Sequence, residues 1–236
     1  MQRRLKKFAA KKFTIIITTE KFLRVKKMIL TIEVEVTDFL SENTYFYIND
    51  KTLHGFLIDP GAQAKKILQI IEEKNFVIEK ILLTHGHIDH IGAVNEIQAA
   101  LKIPAVMHEN GKIYAQNPTK NLSQFIIEED YRLNNVDFLS EGEIISLEKN
   151  PDFNLKLIAA PGHTSDGAIF YDEKNNLAFV GDTIFKMGRG RTDFPGGNEK
   201  ILLETIKQKI FTLPAETILL SGHGEPTSVA SEKNFF

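Results

Sequence analysis

From Ile29 onward the chain alternates apolar and polar positions (Ile29-Leu30-Thr31-Ile32-Glu33-Val34-Glu35-Val36), the period-two pattern of a half-buried strand, and predicts a strand over residues 32–36. Strands are predicted again over 44–48 and 56–58, separated by the turn formers Ser41-Glu42-Asn43 and Asn49-Asp50, so the three read as an antiparallel meander. Asp59-Pro60-Gly61-Ala62 ends the meander. Ile67, Leu68, Ile70 and Ile71 then recur at helical spacing until Asn75. A short buried strand follows over 81–83, then a helix over 92–101 and a strand over 105–107, while residues 117–135 are polar and irregular and read as a lid or variable loop.

The second half repeats the theme, with strands predicted over 155–159, 168–171, 177–180 and 217–220, a turn at Lys174-Asn175-Asn176 and a helix over 200–210. Strand meanders with helices attached predict a mixed α/β (α+β) fold, two sheets packed face to face with helices outside. At 236 residues this is one domain, or one with a small appendage.

Charge separates the appendage from the body. The formal net charge is −2, yet residues 1–27 hold ten Lys or Arg against a single Glu20, a local +9 that leaves the other 209 residues at −11. The expected organisation is a basic extension over 1–27 and a folded domain over 28–236. Four readings of the extension stay open: a targeting peptide, a nucleic-acid-binding arm, a tail without specific role, or a leader preceding a natural start at Met28. No uninterrupted apolar run exceeds four residues, so neither a membrane-spanning helix nor a Sec-type leader is expected, and the expectation is a cytoplasmic protein without membrane partners. The chain has no Cys, which excludes disulfides, thiolate nucleophiles, Cys-type zinc sites and iron–sulfur clusters. Any metal here is held by His, carboxylate and water.

Three His and one Asp fall within six residues directly after the 81–83 strand, in Thr84-His85-Gly86-His87-Ile88-Asp89-His90. His85 and His87 are two apart and project the same way from an extended loop, so they can grip one ion. Asp89 and His90 come from the following turn and can reach a second. Imidazole and carboxylate without thiolate suit Zn, Fe or Mn, and a hydrolytic pair of ions needs a bridging oxygen ligand. Further ligand types stand just after predicted strands, each beside Gly: His163 in Pro161-Gly162-His163-Thr164, Asp182 in Gly181-Asp182-Thr183 and His223 in Gly222-His223-Gly224. Loops on one rim of a sheet converge on a single site. His54 and His108 belong to none of these motifs.

With these four motifs in this order, the chain resembles the metallo-β-lactamase-fold hydrolases, and within them the short, single-domain glyoxalase II-like (hydroxyacylglutathione hydrolase-like) branch, over about Met28 to Phe236. The resemblance implies a four-layer αββα sandwich and two divalent metal ions, Zn in the first instance with Fe or Mn as alternatives. It assigns His85, His87 and His163 to one ion, Asp89, His90 and His223 to the other, and Asp182 to both. Asp59, in Leu57-Ile58-Asp59-Pro60-Gly61, resembles the family's buried acid beneath the metal loop, which orients ligands; a turn-capping Asp is the plainer reading. Two features narrow the branch: the chain lacks the Cys ligand of one major group of zinc β-lactamases, and it has His87 where diiron flavoproteins of the superfamily place Glu.

The expected reaction is hydrolysis by a hydroxide generated between two ions, with Asp89 orienting it and taking its proton. The preference for a small-molecule thioester, glutathione-linked in the family, comes from the resemblance alone; an ester, a lactone or a phosphodiester is compatible with the same motif. Lys186 and Arg191, in the loop after Asp182, are candidates for a substrate carboxylate, and the plainer reading pairs Arg191 with Asp193. Only thirteen residues follow His223, whereas classical glyoxalase II enzymes carry a further helical domain that helps bind glutathione. Three rivals stand beside the hydrolase: a mononuclear iron persulfide dioxygenase, which the chain also resembles at Gly190-Arg191-Thr192-Asp193-Phe194; a nuclease or nucleic-acid binder, which the −11 body disfavours; and a noncatalytic metal binder.

Overall fold

The computed structural model describes the backbone of residues 14–16, 27–37 and 40–236 and the side chains of 29–37 and 40–236. Most of the basic extension, and with it the choice among its four readings, lies outside the described residues.

The first sheet runs in sequence order: β1 (Thr14–Ile16), β2 (Lys27–Thr37), β3 (Leu40–Asn49), β4 (His54–Ile58), β5 (Val77–Leu82), β6 (Ala105–His108) and β7 (Val136–Leu139). The expected meander is present, since β1 to β4 pair antiparallel. From β4 to β7 the pairing turns parallel. Parallel neighbours need a crossover. It is supplied by α1 (Ala64–Lys74) before β5, by α2 (Ile88–Ile91) and α3 (Val94–Leu101) before β6, and by α4 (Lys112–Gln116) and α5 (Ser123–Ile126) before β7.

The second sheet is β13-β12-β11-β10-β9-β8, formed by β8 (Ile144–Ser146), β9 (Asn154–Ala159), β10 (Ala168–Asp172), β11 (Leu177–Gly181), β12 (Ile218–Ser221) and β13 (Thr227–Ser228). Only β11 and β12 are parallel, and α6 (Glu199–Thr205) lies in their connection; α7 (Val229–Lys233) follows β13. Asn198 caps α6, its side chain accepting from the Ile201 N–H, and a π-helical turn, Ile206–Ile210, extends it.

Three apolar clusters separate four layers, and the period-two alternation of each strand distributes its residues between them. In β3, Tyr45 and Tyr47 face the second sheet while Phe46 and Ile48 face the helices. In β10, Phe170 faces the first sheet and Ile169 and Tyr171 the outer helices; in β11, Phe179 and Val180 divide likewise. The inter-sheet layer is aromatic, with Phe179 edge-on to Tyr45 and Tyr47 at ring-centroid distances of 5.4 Å. Burying each such ring contributes about 2–3 kcal/mol. On the outside, Ile67, Ile70 and Ile71 of α1 and Val94 and Ile97 of α3 cover the first sheet, and Leu202, Ile206 and Ile210 cover the second. This is the expected αββα arrangement. Among the described residues no helix is long and apolar enough to cross a membrane.

Three expectations need correction. Ser41-Glu42-Asn43 is not a turn but part of β3, where Glu42 and Asn43 are buried; their polarity answers the polar site at the strand's end. Residues 117–135 are not one irregular loop: α5 lies within them, and the buried Asn121 side chain donates to the Tyr114 and Tyr131 carbonyls, knitting the segment to the body. The short edge strands β7 and β8 were not expected at all; three or four residues show too little alternation to read.

Candidate metal centre

β5 ends in the buried Leu83-Thr84-His85-Gly86-His87 loop, which feeds directly into α2, so His85 and His87 leave an extended segment while Asp89 and His90 sit on one helical turn. The loop after β9 brings His163, the end of β11 brings Asp182 and the end of β12 brings His223. Four strand ends of two sheets thus meet at one rim.

The seven residues separate into overlapping groups of closely spaced donor atoms: His85 with His87 and His163, His85 with His90 and Asp182, and Asp89 with His90 and His223. His87 Nδ1 is 3.1 Å from His85 Nε2 and 3.0 Å from His163 Nε2. Donors that share a tetrahedral ion at metal–nitrogen distances of about 2.0–2.1 Å stand roughly 3.3 Å apart, so this trio has ligand spacing. Asp182 spans both sides: Oδ1 is 3.4 Å from His90 Nε2, and Oδ2 is 3.6 Å from His163 Nε2 and 3.4 Å from His223 Nε2. Asp89 Oδ2 lies 3.5 Å from His223 Nε2 and 3.9 Å from His90 Nε2. His90 Nε2 and Asp182 Oδ1 are buried without a hydrogen-bond partner in the protein, as inward-facing ligand atoms would be. Gly222 is required here, because a Cβ on it would stand 2.4 Å from Asp182 Oδ1 and 2.5 Å from His90 Cε1.

The outer nitrogens are anchored, which fixes tautomer and ring orientation. His90 Nδ1 donates to Asp59 Oδ2 at 3.0 Å, His163 Nδ1 to the Arg191 carbonyl at 2.7 Å and His223 Nδ1 to the Ser41 carbonyl at 2.6 Å. Each bond leaves Nε2 facing the cluster. Asp59 lies beneath the loop: Oδ1 accepts from the Thr84 N–H at 2.7 Å and Oδ2 from the Thr84 hydroxyl at 2.6 Å.

Burial drives the His85 imidazole well below its ordinary value and His87 down to about 3, with neighbouring imidazoles adding to both. These two rings are neutral, with lone pairs available. On the other side burial opposes charge, but the carboxylates outweigh it: Asp182 and Asp89 hold His223 at about 10, and the same pair raises His90. In turn His223 and His90 hold Asp182 well below the usual carboxylate range despite its burial.

Several residues of the site escaped sequence reasoning. Glu42, in β3, is fully buried with Oε1 3.9 Å from His90 Nδ1, and burial keeps its carboxyl well above the ordinary range. The Thr44 hydroxyl has one hydrogen and lies 2.9 Å from the Asp59 carbonyl, which can only accept, and 3.1 Å from Glu42 Oε2. The second contact is a hydrogen bond only when Glu42 carries the proton. Asn43 donates to the Ser221 and Gly224 carbonyls and the Tyr45 hydroxyl to Ser221, holding the loop that bears His223. The one available signal was a polar run opening an otherwise apolar strand.

Other candidates lie outside the cluster. Lys186 pairs with Glu225 at 2.6 Å and Arg191 with Asp193 at 2.7 and 2.5 Å, all exposed. Arg191 also stacks on the Phe194 ring at 4.0 Å, and Phe194 stands 5.9 Å from the His87 ring, so Arg191 is at the rim on that side. His54 pairs with Glu79, and His108 accepts from the Asn110 N–H; neither approaches the centre.

The family model of the metallo-β-lactamase superfamily matches residues 37–223. The probable metallo-hydrolase YqgX of Bacillus subtilis is 37% identical over 195 residues, which span 83% of this chain and 90% of the relative. Hydroxyacylglutathione hydrolase GloC of Haemophilus influenzae is 33% identical over 210 residues, or 85% and 93% of the two chains. Among solved structures, TTHA1623 in a di-iron-bound form is similar with a TM-score of 0.74 and 29% identity, covering 87% of this chain and 97% of that one. The family match takes in all seven converging residues and the strands β3 to β12, and the chain belongs to the metallo-β-lactamase superfamily.

Proposed function

We propose that the protein is a binuclear metallohydrolase acting on a small-molecule thioester of the hydroxyacylglutathione type, in the cytoplasm. The observation that supports the two-ion reading is Asp182, whose carboxylate lies within 3.6 Å of His163 from one donor group and within 3.4 Å of both His90 and His223 from the other. His85, His87 and His163 would hold one ion, Asp89, His90 and His223 the other, and Asp182 both. Nitrogen and oxygen donors without sulfur suit zinc, iron or manganese, and the likeness to a di-iron structure keeps iron beside zinc. When bound, such a pair lowers the pKa of a shared water and polarises a carbonyl.

This chain's own residues do the rest. Asp89 Oδ2, next to His223, is placed to orient the water and accept its proton. Asp59 and the Arg191 and Ser41 carbonyls hold the imidazoles that surround it. A thiolate leaving group needs no protonating acid, which agrees with the metal-facing groups being imidazoles and carboxylates only. Similarity to GloC supports the thioester class. The −11 charge of residues 28–236 supports a small molecule over nucleic acid.

The test is to quantify metals in the purified protein, then measure S-lactoylglutathione hydrolysis beside oxygen uptake with glutathione persulfide. Two ions per chain with thioester cleavage is the expected result. One iron with oxygen uptake would replace this reading by the persulfide dioxygenase.

A further inference from the structure

Tyr114 lies on α4, away from every motif, and is completely buried. Its hydroxyl is the meeting point of two loops. The Ser165 N–H donates to it at 3.1 Å, and the Ser165 Oγ is 3.2 Å away; the Pro195 carbonyl is 3.4 Å away on the other side. A carbonyl only accepts, so the single phenolic hydrogen goes to Pro195, and Ser165 supplies both hydrogens that the phenol oxygen accepts. The same side chain supports a third loop: a Cβ on Gly86 would stand 2.4 Å from Tyr114 Cβ, and the His87 ring lies 6.3 Å from the Tyr114 ring.

These contacts define how residues 191–195 are held. One end of that loop is fixed where His163 Nδ1 donates to the Arg191 carbonyl at 2.7 Å, the other where Tyr114 donates to Pro195. Between the two pins stand Arg191 and Phe194, stacked on each other at 4.0 Å, with Phe194 5.9 Å from the His87 ring.

We propose that Tyr114 is a positioning residue: its hydroxyl sets the Arg191–Phe194 pair over the His87 side of the centre, where an anionic part of the substrate is received. The kinetic part rests on the thioester reading above; the positioning of the loop does not.

Tyr114→Phe removes only the oxygen. Two hydrogen bonds from Ser165 and one to Pro195 are lost, and losing the net worth of one such bond corresponds to about fivefold. We expect bound metal to be unchanged, KM for S-lactoylglutathione to rise about fivefold, kcat to stay within about twofold, and amide exchange over residues 191–197 to quicken by about fivefold. Ser165→Ala, which keeps the backbone donor, should shift KM the same way by less. Acting through Arg191 predicts non-additivity, so Tyr114→Phe should leave KM unchanged in an Arg191→Ala background. A Tyr114→Phe protein whose melting temperature falls while KM and loop exchange stay at wild-type values would overturn the proposal, and so would full additivity with Arg191→Ala. If the wild-type protein cleaves no thioester, the functional reading fails, and exchange over 191–197 still decides the role of Tyr114.

Discussion

His87 and His223 belong to different donor groups of the centre, and their surroundings drive them in opposite directions, His87 to about 3 and His223 to about 10. The difference is in who the neighbours are. His87 is packed among His85, His163 and the rings of Tyr114 and Phe194, with burial penalising any charge. His223 faces Asp89 and Asp182, and their charge outweighs its desolvation. One half of the centre therefore offers lone pairs, while the other holds a proton where a cation would sit. Loading the first half releases few protons; loading the second must displace them.

The strongest challenge to a two-sided centre is to remove the residue the halves share. Asp182→Asn keeps the volume but removes the charge that faces His90, His163 and His223. Activity should fall by at least about 10²–10³-fold, with metal content by mass spectrometry dropping below that of His87→Ala or His223→Ala. A variant that kept two ions and most of its activity would break the comparison.

Acidification should separate the halves. Dialysis of the metal-loaded protein between pH 8 and pH 5 should release first the ion that Asp89, His90 and His223 would hold, because protons compete at His223 and His90, which are raised, while His85 and His87 stay neutral. Simultaneous loss of both ions over one narrow pH range would show that the halves do not differ in this way.

Without metal, the same contrast becomes a stability profile. From about pH 6.5 down to 3 the unfolded chain takes up the proton that buried His87 refuses, so this contribution to stability is lost as pH falls. From about pH 6.5 up to 10 the folded chain keeps a proton on His223 that the unfolded chain gives up, so that contribution is lost as pH rises. In the chelator-treated protein, His223→Gln should reduce the loss of melting temperature between about pH 6.5 and 10 and leave the profile below about pH 6.5 unchanged. An alkaline limb as steep in His223→Gln as in the wild type would count against the His223 assignment.

How much of this could be read from the sequence follows from how local each signal is. β3, β4, β10 and β11 read as short continuous apolar runs because each is covered on both faces by different layers, and their expected positions hold to within a few residues. The seven converging residues were legible because His, Asp and Gly cluster in four short motifs. Glu42 and Asn43 were not, since a polar run beside a strand looks the same whether it turns into solvent or lines a buried centre. Tyr114 was hidden for the opposite reason: one aromatic residue in a helix reads as core, and its hydroxyl acts on loops about 50 and 80 positions away.

Asp166 offers the smallest but sharpest probe of the uncharged half. It follows His163 by three residues and is 1% exposed, and neither oxygen completes a hydrogen bond although a Cβ on Gly86 would come within 3.2 Å of Oδ2. Burial raises its carboxyl to about 7. The folded acid thus keeps its proton between about pH 4 and 7 where the unfolded chain has lost it, so this contribution is present at low pH and disappears as pH rises. Above pH 7 the ionised group is buried without a partner, at a cost on the order of 2–4 kcal/mol. Asp166→Asn has nearly the same shape and cannot ionise. Its melting temperature should exceed that of the wild type by about 4–16 °C at pH 8 and match it at pH 4, at about 2–4 °C per kcal/mol for a domain of this size. Equal shifts at both pH values would mean that the ionised carboxylate is no less stable at this buried position than the protonated acid.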